Sequence, residues 1–309
     1  MKIIHFSEIN KQIENGEGEF IAACDAEYEN SCKHAAEKIA KMRHERPLIL
    51  LSGPSGSGKT TTALKIEAYL DNMGVETHTI SMDDYFLPKE KMPELADGEK
   101  VDYESPYRID IDLLQEHMHR LARYEEVDIP AFDFPNQQRV QGKKLRRKRG
   151  EMILFEGIHA LNPEVTGYED ISNRLYVSVR TRIQLANGEL LHPQMIRLMR
   201  RIIRDRNFRN RTPAETLDMY DSVQQGENLY IAPYKHLANL ELDTFLGYEA
   251  SVYKNYLAGD IDSLKYSYDS FLRFSPMENA IKDLDSVKAE EISESSMVRE
   301  FIGGSKYEY

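Results

Sequence analysis

The chain has 309 residues, 41% apolar and 30% charged. That is enough for one large α/β domain with an appendage or for two ordinary domains, and it excludes a disordered or collagen-like chain. Lys and Arg total 40 against 52 Asp and Glu, a formal net charge of −12, so the molecule as a whole repels nucleic acid and anionic membranes, and any polyanion site must be local. The apolar runs fall far short of the roughly 20 residues that cross a bilayer, and the first residues carry acids in place of a secretory apolar core. The reading is a soluble, cytoplasmic protein with neither membrane nor nucleic-acid partners. Cys24 and Cys32 match neither a redox pair nor a metal knuckle and read as free thiols.

Apolar residues recur at helical spacing from Ala22 to Met42, giving a helical segment before the core. LILLSG at 48–53 is a continuous apolar run ending at glycine, as a strand buried on both faces of a parallel sheet requires. Thr60–Met73 then reads as a helix, Val75–Ser81 as a strand and Ile111–Ala122 as a helix, which is a β-α-β alternation. Residues 127–149 hold two extended stretches around Pro135, Asn136 and Gly142, a projecting hairpin. Strands follow at Met152–Phe155, Leu175–Val179 and Leu240–Thr244, with an Arg-rich helix over about 192–207. Thr212-Pro213-Ala214-Glu215 supplies an N-cap, a first-position Pro and the Glu of a capping box, and Ser275-Pro276-Met277-Glu278 repeats it in a tail expected to be helical throughout after residue 247. The expected division is an N-terminal helical extension over 1–46, a core over 47–257 and a C-terminal helical segment over 258–309.

The strongest motif is GPSGSGKT at 53–60, set between a strand and a helix. Gly53, Ser55, Gly56, Ser57 and Gly58 let backbone N–H groups wrap a β-phosphate, with Thr61 in the same set. Lys59 bridges β- and γ-phosphates, and the Thr60 hydroxyl takes Mg²⁺. The pattern predicts nucleoside triphosphate binding. Asp83 and Asp84 follow the next strand at the edge where ligands sit, and one of them is placed to accept a proton from an attacking hydroxyl or to hold the metal. Glu156 ends a further strand, an apolar one, as a Walker-B-type acid does. Arg197, Arg200, Arg201 and Arg204 share a helical face, and like charges crowded together call for an anion. With Arg206, Arg209 and Arg211 they suggest a lid over transferring phosphates. The basic run over 143–149 reads as a solvated strand face, and His117 and His119 point to different helix faces, which argues against a metal pair.

These motifs, together with YESPYRID at 103–110, FDF at 132–134, FEGI at 155–158 and RRIIRDRNFRNR at 200–211, resemble the uridine kinase and phosphoribulokinase family of P-loop kinases over roughly residues 46–257. The resemblance implies a three-layer P-loop fold with a mainly parallel sheet, a projecting hairpin, an Arg-rich lid and added terminal helices. It also implies an ATP- and Mg²⁺-dependent kinase acting on a small hydroxyl acceptor, a nucleoside first. By the same resemblance Asp83 becomes the general base, and Thr60, Asp83 and Glu156 the Mg²⁺ partners. Glu104 falls at the family's ribose-binding aspartate, Phe86 and Ile158 lie near the nucleoside, Arg201 and Arg211 surround the acceptor, and Arg204 and Arg209 reach the phosphates. Phe132, Phe134 and Gln137 belong to the hairpin that covers the base. Where uridine-cytidine kinases present Tyr, His and Gln to the pyrimidine, this chain offers Phe132, Gln137 and Met219, so the base contact is altered. A sugar phosphate or a pantothenate-like alcohol stays open as acceptor, as does a non-catalytic ATP-binding regulatory module. The likeness is also compatible with a homo-oligomer.

Overall fold

The computed structural model describes residues 2–92, 102–167, 170–267 and 271–308. In chain order the elements are β1 (Ile3–His5), α1 (Phe6–Lys41), β2 (Leu48–Ser52), α2 (Lys59–Asn72), β3 (Thr77–Ser81), α3 (Ile111–Ala122), β4 (Glu126–Asp133), β5 (Gln138–Arg146) and β6 (Met152–Glu156). Then come α4 (Pro163–Thr166), β7 (Ser172–Ser178), β8 (Arg182–Gln184), β9 (Leu190–Leu191), α5 (Pro193–Phe208), α6 (Pro213–Asp218), α7 (Tyr220–Gly226), β10 (Leu240–Asp243), α8 (Glu249–Ser267), α9 (Ser275–Asp283) and α10 (Arg299–Ile302).

Five strands form a parallel sheet in the order β10-β7-β2-β6-β3. Every residue of β2 and β6 is buried because helices cover both faces. The period-two alternation divides the core into two layers. Ile49 and Leu51 join α1, α2, α5, α8 and α9 on one side, through residues such as Ile39, Ile66, Ile203, Tyr253 and Met277. Leu48 and Leu50 join Met82, Leu114, Met118 and Ile129 on the other. Parallel strands deliver their carboxyl ends to one edge, which gathers the P-loop, the turn after β3 and the end of β6.

β4 and β5 make the expected antiparallel hairpin, with a register irregularity between Ile129 and Ala131. Gly142 is required there, because a Cβ would lie 2.1 Å from the Ile129 carbonyl oxygen. In the basic run, Arg147 departs from a solvated face. It is buried, donates to the carbonyls of Leu121, Ala122 and Glu151, and so ties the hairpin root to α3.

The helix expected over 22–42 forms and starts earlier, at Phe6. Gly16 interrupts it with an extended backbone, which hides the apolar period of its first half. β1 pairs in parallel with β8, which pairs with β9, a small sheet built from contacts distant in sequence. The tail is not helical throughout, and between α9 and α10 it runs as a strap. Leu284, Val287, Ile292 and Met297 are buried at non-helical spacing, and the Arg299 guanidinium donates to the carbonyls of Ala289, Ile292 and Gly303. The capping box at Thr212 and Glu215 forms in full, whereas Ser275 is the first residue of α9 and Phe274 stands at its cap without a side-chain hydrogen bond. The two cysteines are free, Cys32 buried and Cys24 half-buried. No helix among the described residues is long and apolar enough to cross a membrane.

Candidate active site

The P-loop turns between β2 and α2, and its outward carbonyls are held by side chains from elsewhere. Ser55 O accepts from Arg197 at 3.0 Å, Gly56 O from Arg200 at 3.1 Å and Ser57 O from the Thr244 hydroxyl at 2.7 Å. Fixing the carbonyls outward lets the loop turn N–H groups toward an anion, while the Ser57 N–H donates to the Pro54 carbonyl at 3.2 Å. Gly56 and Gly58 have φ of +73° and +82°, and a Cβ at Gly53 would lie 2.0 Å from the Val177 carbonyl oxygen, so these glycines make the cradle possible. The Ser57 hydroxyl is buried without a hydrogen-bond partner. Lys59 Nζ lies 3.8 Å from one Glu156 oxygen, and the Thr60 hydroxyl 3.5 Å from the other.

β3 and β6 are in register with Ser81 opposite Glu156, which brings the turn carrying Asp83 beside Glu156. Burial pushes Glu156 up to about 7, with Lys59 opposing the shift and Asp83 reinforcing it. Asp83 is partly accessible, but desolvation also raises its pKa against the pull of Lys59, Arg209, Arg108 and Arg204. Two carboxyls raised by burial beside a hydroxyl form an oxygen donor set, which fits a hard divalent cation on Thr60, Asp83 and Glu156. Asp84 serves the hairpin instead, since its carboxylate accepts from the Phe132 N–H at 3.3 Å and fastens the hairpin over the turn.

The arginines divide by partner, which corrects the single phosphate-facing row expected of them. Arg200 is fully buried and doubly bonded to Glu249, at 2.7 and 3.0 Å. Burial opposes its charge, but the Glu249 carboxylate raises its pKa. Arg197 pairs with Glu227 at 2.6 Å. Both therefore brace the P-loop and are not part of a lid. Arg206 is held by Asp260 and the Tyr256 carbonyl. Arg204, Arg209 and Arg211 instead surround the buried Asp205, with nearest oxygen distances of 3.3, 3.4 and 3.8 Å. The backbone folds around the same residue, because its carbonyl accepts from the N–H groups of Arg209 and Arg211, with Asn210 left-handed between them. Asp205 goes unmarked in the sequence, since one acid among arginines reads as charge balance.

On the far side, Glu104, Arg201 and Gln224 each bury a side-chain polar atom without a hydrogen-bond partner, as do Arg108 and His159. Burial drives Arg201 down to about 10 and raises Glu104, although Arg201 and Lys59 pull Glu104 the other way. Glu104 packs against Gly226, where a Cβ would sit 2.2 Å from the Glu104 Cβ. The requirement for glycine there carries no local sequence signal. Burial lowers His159 to about 4, so its ring is neutral. Phe86, Phe132 and Phe134 form an edge-to-face trio with centroids 5.2 to 6.2 Å apart, and the Arg108 guanidinium lies 5.4 Å from the Phe86 centroid. Gln137 is exposed at the hairpin turn with φ of +50°, Met219 joins α6 to α7, and Ile158 is partly buried behind the P-loop strand, its carbonyl accepting from Ser52.

A family model described as phosphoribulokinase / uridine kinase matches residues 48–245. The chain is similar to the uridine kinase of Lactobacillus johnsonii, 29% identical over 203 residues that cover 64% of this chain and 87% of that one. It is also similar to the uridine kinase of Anoxybacillus flavithermus, 30% identical over 201 residues, 64% of this chain and 86% of that one. The solved YGR205w protein superimposes with a TM-score of 0.50 at 19% identity over 71% of this chain and 94% of that one, a likeness of fold.

Proposed function

The chain belongs to the phosphoribulokinase / uridine kinase family and is a phosphotransferase with a hydroxyl acceptor; from that premise we propose that it transfers the γ-phosphoryl group of ATP, with Mg²⁺, to a small polyhydroxylated molecule, first of all the 5′-hydroxyl of a nucleoside. The observation that supports this reading most is the position of Asp83, a carboxylate with a raised pKa within electrostatic reach of Lys59, Arg204 and Arg209. Asp83 orients the acceptor hydroxyl and takes its proton, and its raised pKa brings it nearer the operating pH of a general base. Lys59, Arg204 and Arg209 neutralise charge spread over the transferring group, and Asp205 holds the two arginines in place. Thr60, Asp83 and Glu156 are the residues to hold Mg²⁺, which when bound neutralises phosphate oxygens. Glu104 and Arg201 hold the acceptor's hydroxyls through their unpartnered atoms, and the Phe86, Phe132 and Phe134 trio offers an apolar face to a base or another flat group.

The test is Asp83→Ala, assayed for ATP binding and phosphoryl transfer. Binding is expected to persist while transfer falls by about 100-fold or more. Unchanged turnover removes Asp83 from the mechanism.

A further inference from the structure

The strap between α9 and α10 ends on the P-loop. Met297 is fully buried, and its Sδ lies 2.9 Å from where a Cβ on Gly58 would stand. Phe301, also fully buried, lies under the Arg200 guanidinium at 5.2 Å, the same guanidinium that holds the Gly56 carbonyl. Lys65 of α2 donates to the Ser295 carbonyl at 2.7 Å. These contacts bring Glu300 against the first turn of α2, where one oxygen of its carboxylate accepts from both the Thr61 hydroxyl at 2.6 Å and the Thr61 N–H at 3.3 Å.

The N–H groups of that first turn have no partner within the helix and carry its positive dipole end. In a P-loop they are the donors that continue from the loop onto the nucleotide's phosphates. A carboxylate there has the charge and acceptor atoms of a phosphate oxygen, and it comes from this chain's own tail, outside the segment over 48–245 that matches the family. We infer that Glu300 is an intramolecular competitor of the donor nucleotide: its carboxylate occupies the Thr61 donors that a donor phosphate needs, and it must swing aside for the nucleotide to seat. This inference rests on the reading of the P-loop as an ATP site. Since two anions cannot share those donors, the donor's apparent affinity is reduced by the fraction of molecules in which Glu300 is seated, and a neutral side chain removes that reduction. The contact therefore sets how much ATP the kinase needs and couples donor binding to the tail.

The experiment is calorimetric titration of Mg·ATP into the full chain as wild type, Glu300→Gln and Lys59→Ala, with Lys59→Ala as the control for the donor site. The Gln substitution preserves the shape and leaves an oxygen to accept from the Thr61 hydroxyl. The expected result is an ATP dissociation constant about tenfold lower in Glu300→Gln than in wild type, and loss of binding in Lys59→Ala. An unchanged or weaker affinity in Glu300→Gln, with binding still lost in Lys59→Ala, overturns the inference, reduces Glu300 to a helix cap and leaves the ATP site standing. Absence of ATP binding in both wild type and Glu300→Gln overturns the inference and the donor-site reading together. Hydrogen exchange on wild type gives a second readout that needs no variant. Saturating Mg·ATP should slow exchange over 53–62 and speed it over 299–304, where the anchor is released, whereas slowed exchange in both segments contradicts displacement.

Discussion

The P-loop and the region around Glu104 are built differently. At the P-loop the carbonyls of Ser55, Gly56 and Ser57 are each taken by a side chain from α5 or from the loop after β10, and the arginines that take them are neutralised by Glu227 and Glu249. Little is left to adjust there, which suits a loop that must present its N–H groups to a polyphosphate in one geometry. Around Glu104, Arg201 and Gln224, by contrast, several buried polar side-chain atoms lack partners, whereas at the P-loop the Ser57 hydroxyl is one such atom. Such atoms are costly unless a ligand satisfies them, and they discriminate strongly against an acceptor that cannot. On the proposed reading, the transfer chemistry is set by the framework, and acceptor choice by a few groups on α5, α7 and the segment before α3.

Among the substitutions that probe this contrast, breaking the acceptor side should have the largest effect. Glu104→Ala is expected to lower kcat/KM for the acceptor by about 100-fold while leaving ATP affinity within about twofold, as read by steady-state kinetics with each substrate varied in turn. Comparable losses toward both substrates would erase the separation. Asp205→Asn lies between the two regions. With the Arg204, Arg209 and Arg211 cluster loosened, kcat should fall by about tenfold with a smaller change in acceptor KM, and a Lys-for-Arg variant at 209 should not rescue it. An effect on thermal stability alone would make Asp205 a folding residue.

The smallest effect concerns the donor-side acids. Glu156 is protonated in both folded and unfolded chains below its ordinary 4.5, and it is ionised in both above about 7. The fold therefore loses stability as pH rises between those values, because ionisation of the buried carboxyl is disfavoured in the folded state. Glu156→Gln should remove that loss, giving a nucleotide-free protein more stable by about 1 kcal/mol at pH 8 and no different at pH 4, measured by denaturant unfolding. Millimolar Mg²⁺ should narrow the difference at pH 8 by stabilising the wild type more than the variant.

Much of the donor end is legible in the sequence because its signals are local. Strand β2, GPSGSGKT and α2 are contiguous, Glu156 ends an apolar run and Asp83 follows the strand after α2. What escapes is long-range. No spacing rule joins Arg200 to Glu249, Arg197 to Glu227, Gly226 to Glu104 or Glu300 to Thr61, since each pair meets only after the chain has closed on itself. The arginine row shows the difference most clearly. Its helical period is readable, but the period cannot say that Arg197 and Arg200 face the carbonyls of the P-loop while Arg204 and Arg209 gather around Asp205.

Whether this protein is an acceptor kinase with Asp83 as its base is decided by Mg²⁺-dependent ADP release from ATP, measured with uridine, cytidine, the other nucleosides and a set of sugar and polyol acceptors, with Asp83→Ala in parallel. Strong stimulation by a polyhydroxylated acceptor, a nucleoside first, is expected, and it should disappear in Asp83→Ala. ATP binding without stimulation by any acceptor, or stimulation that persists undiminished in Asp83→Ala, would contradict that assignment.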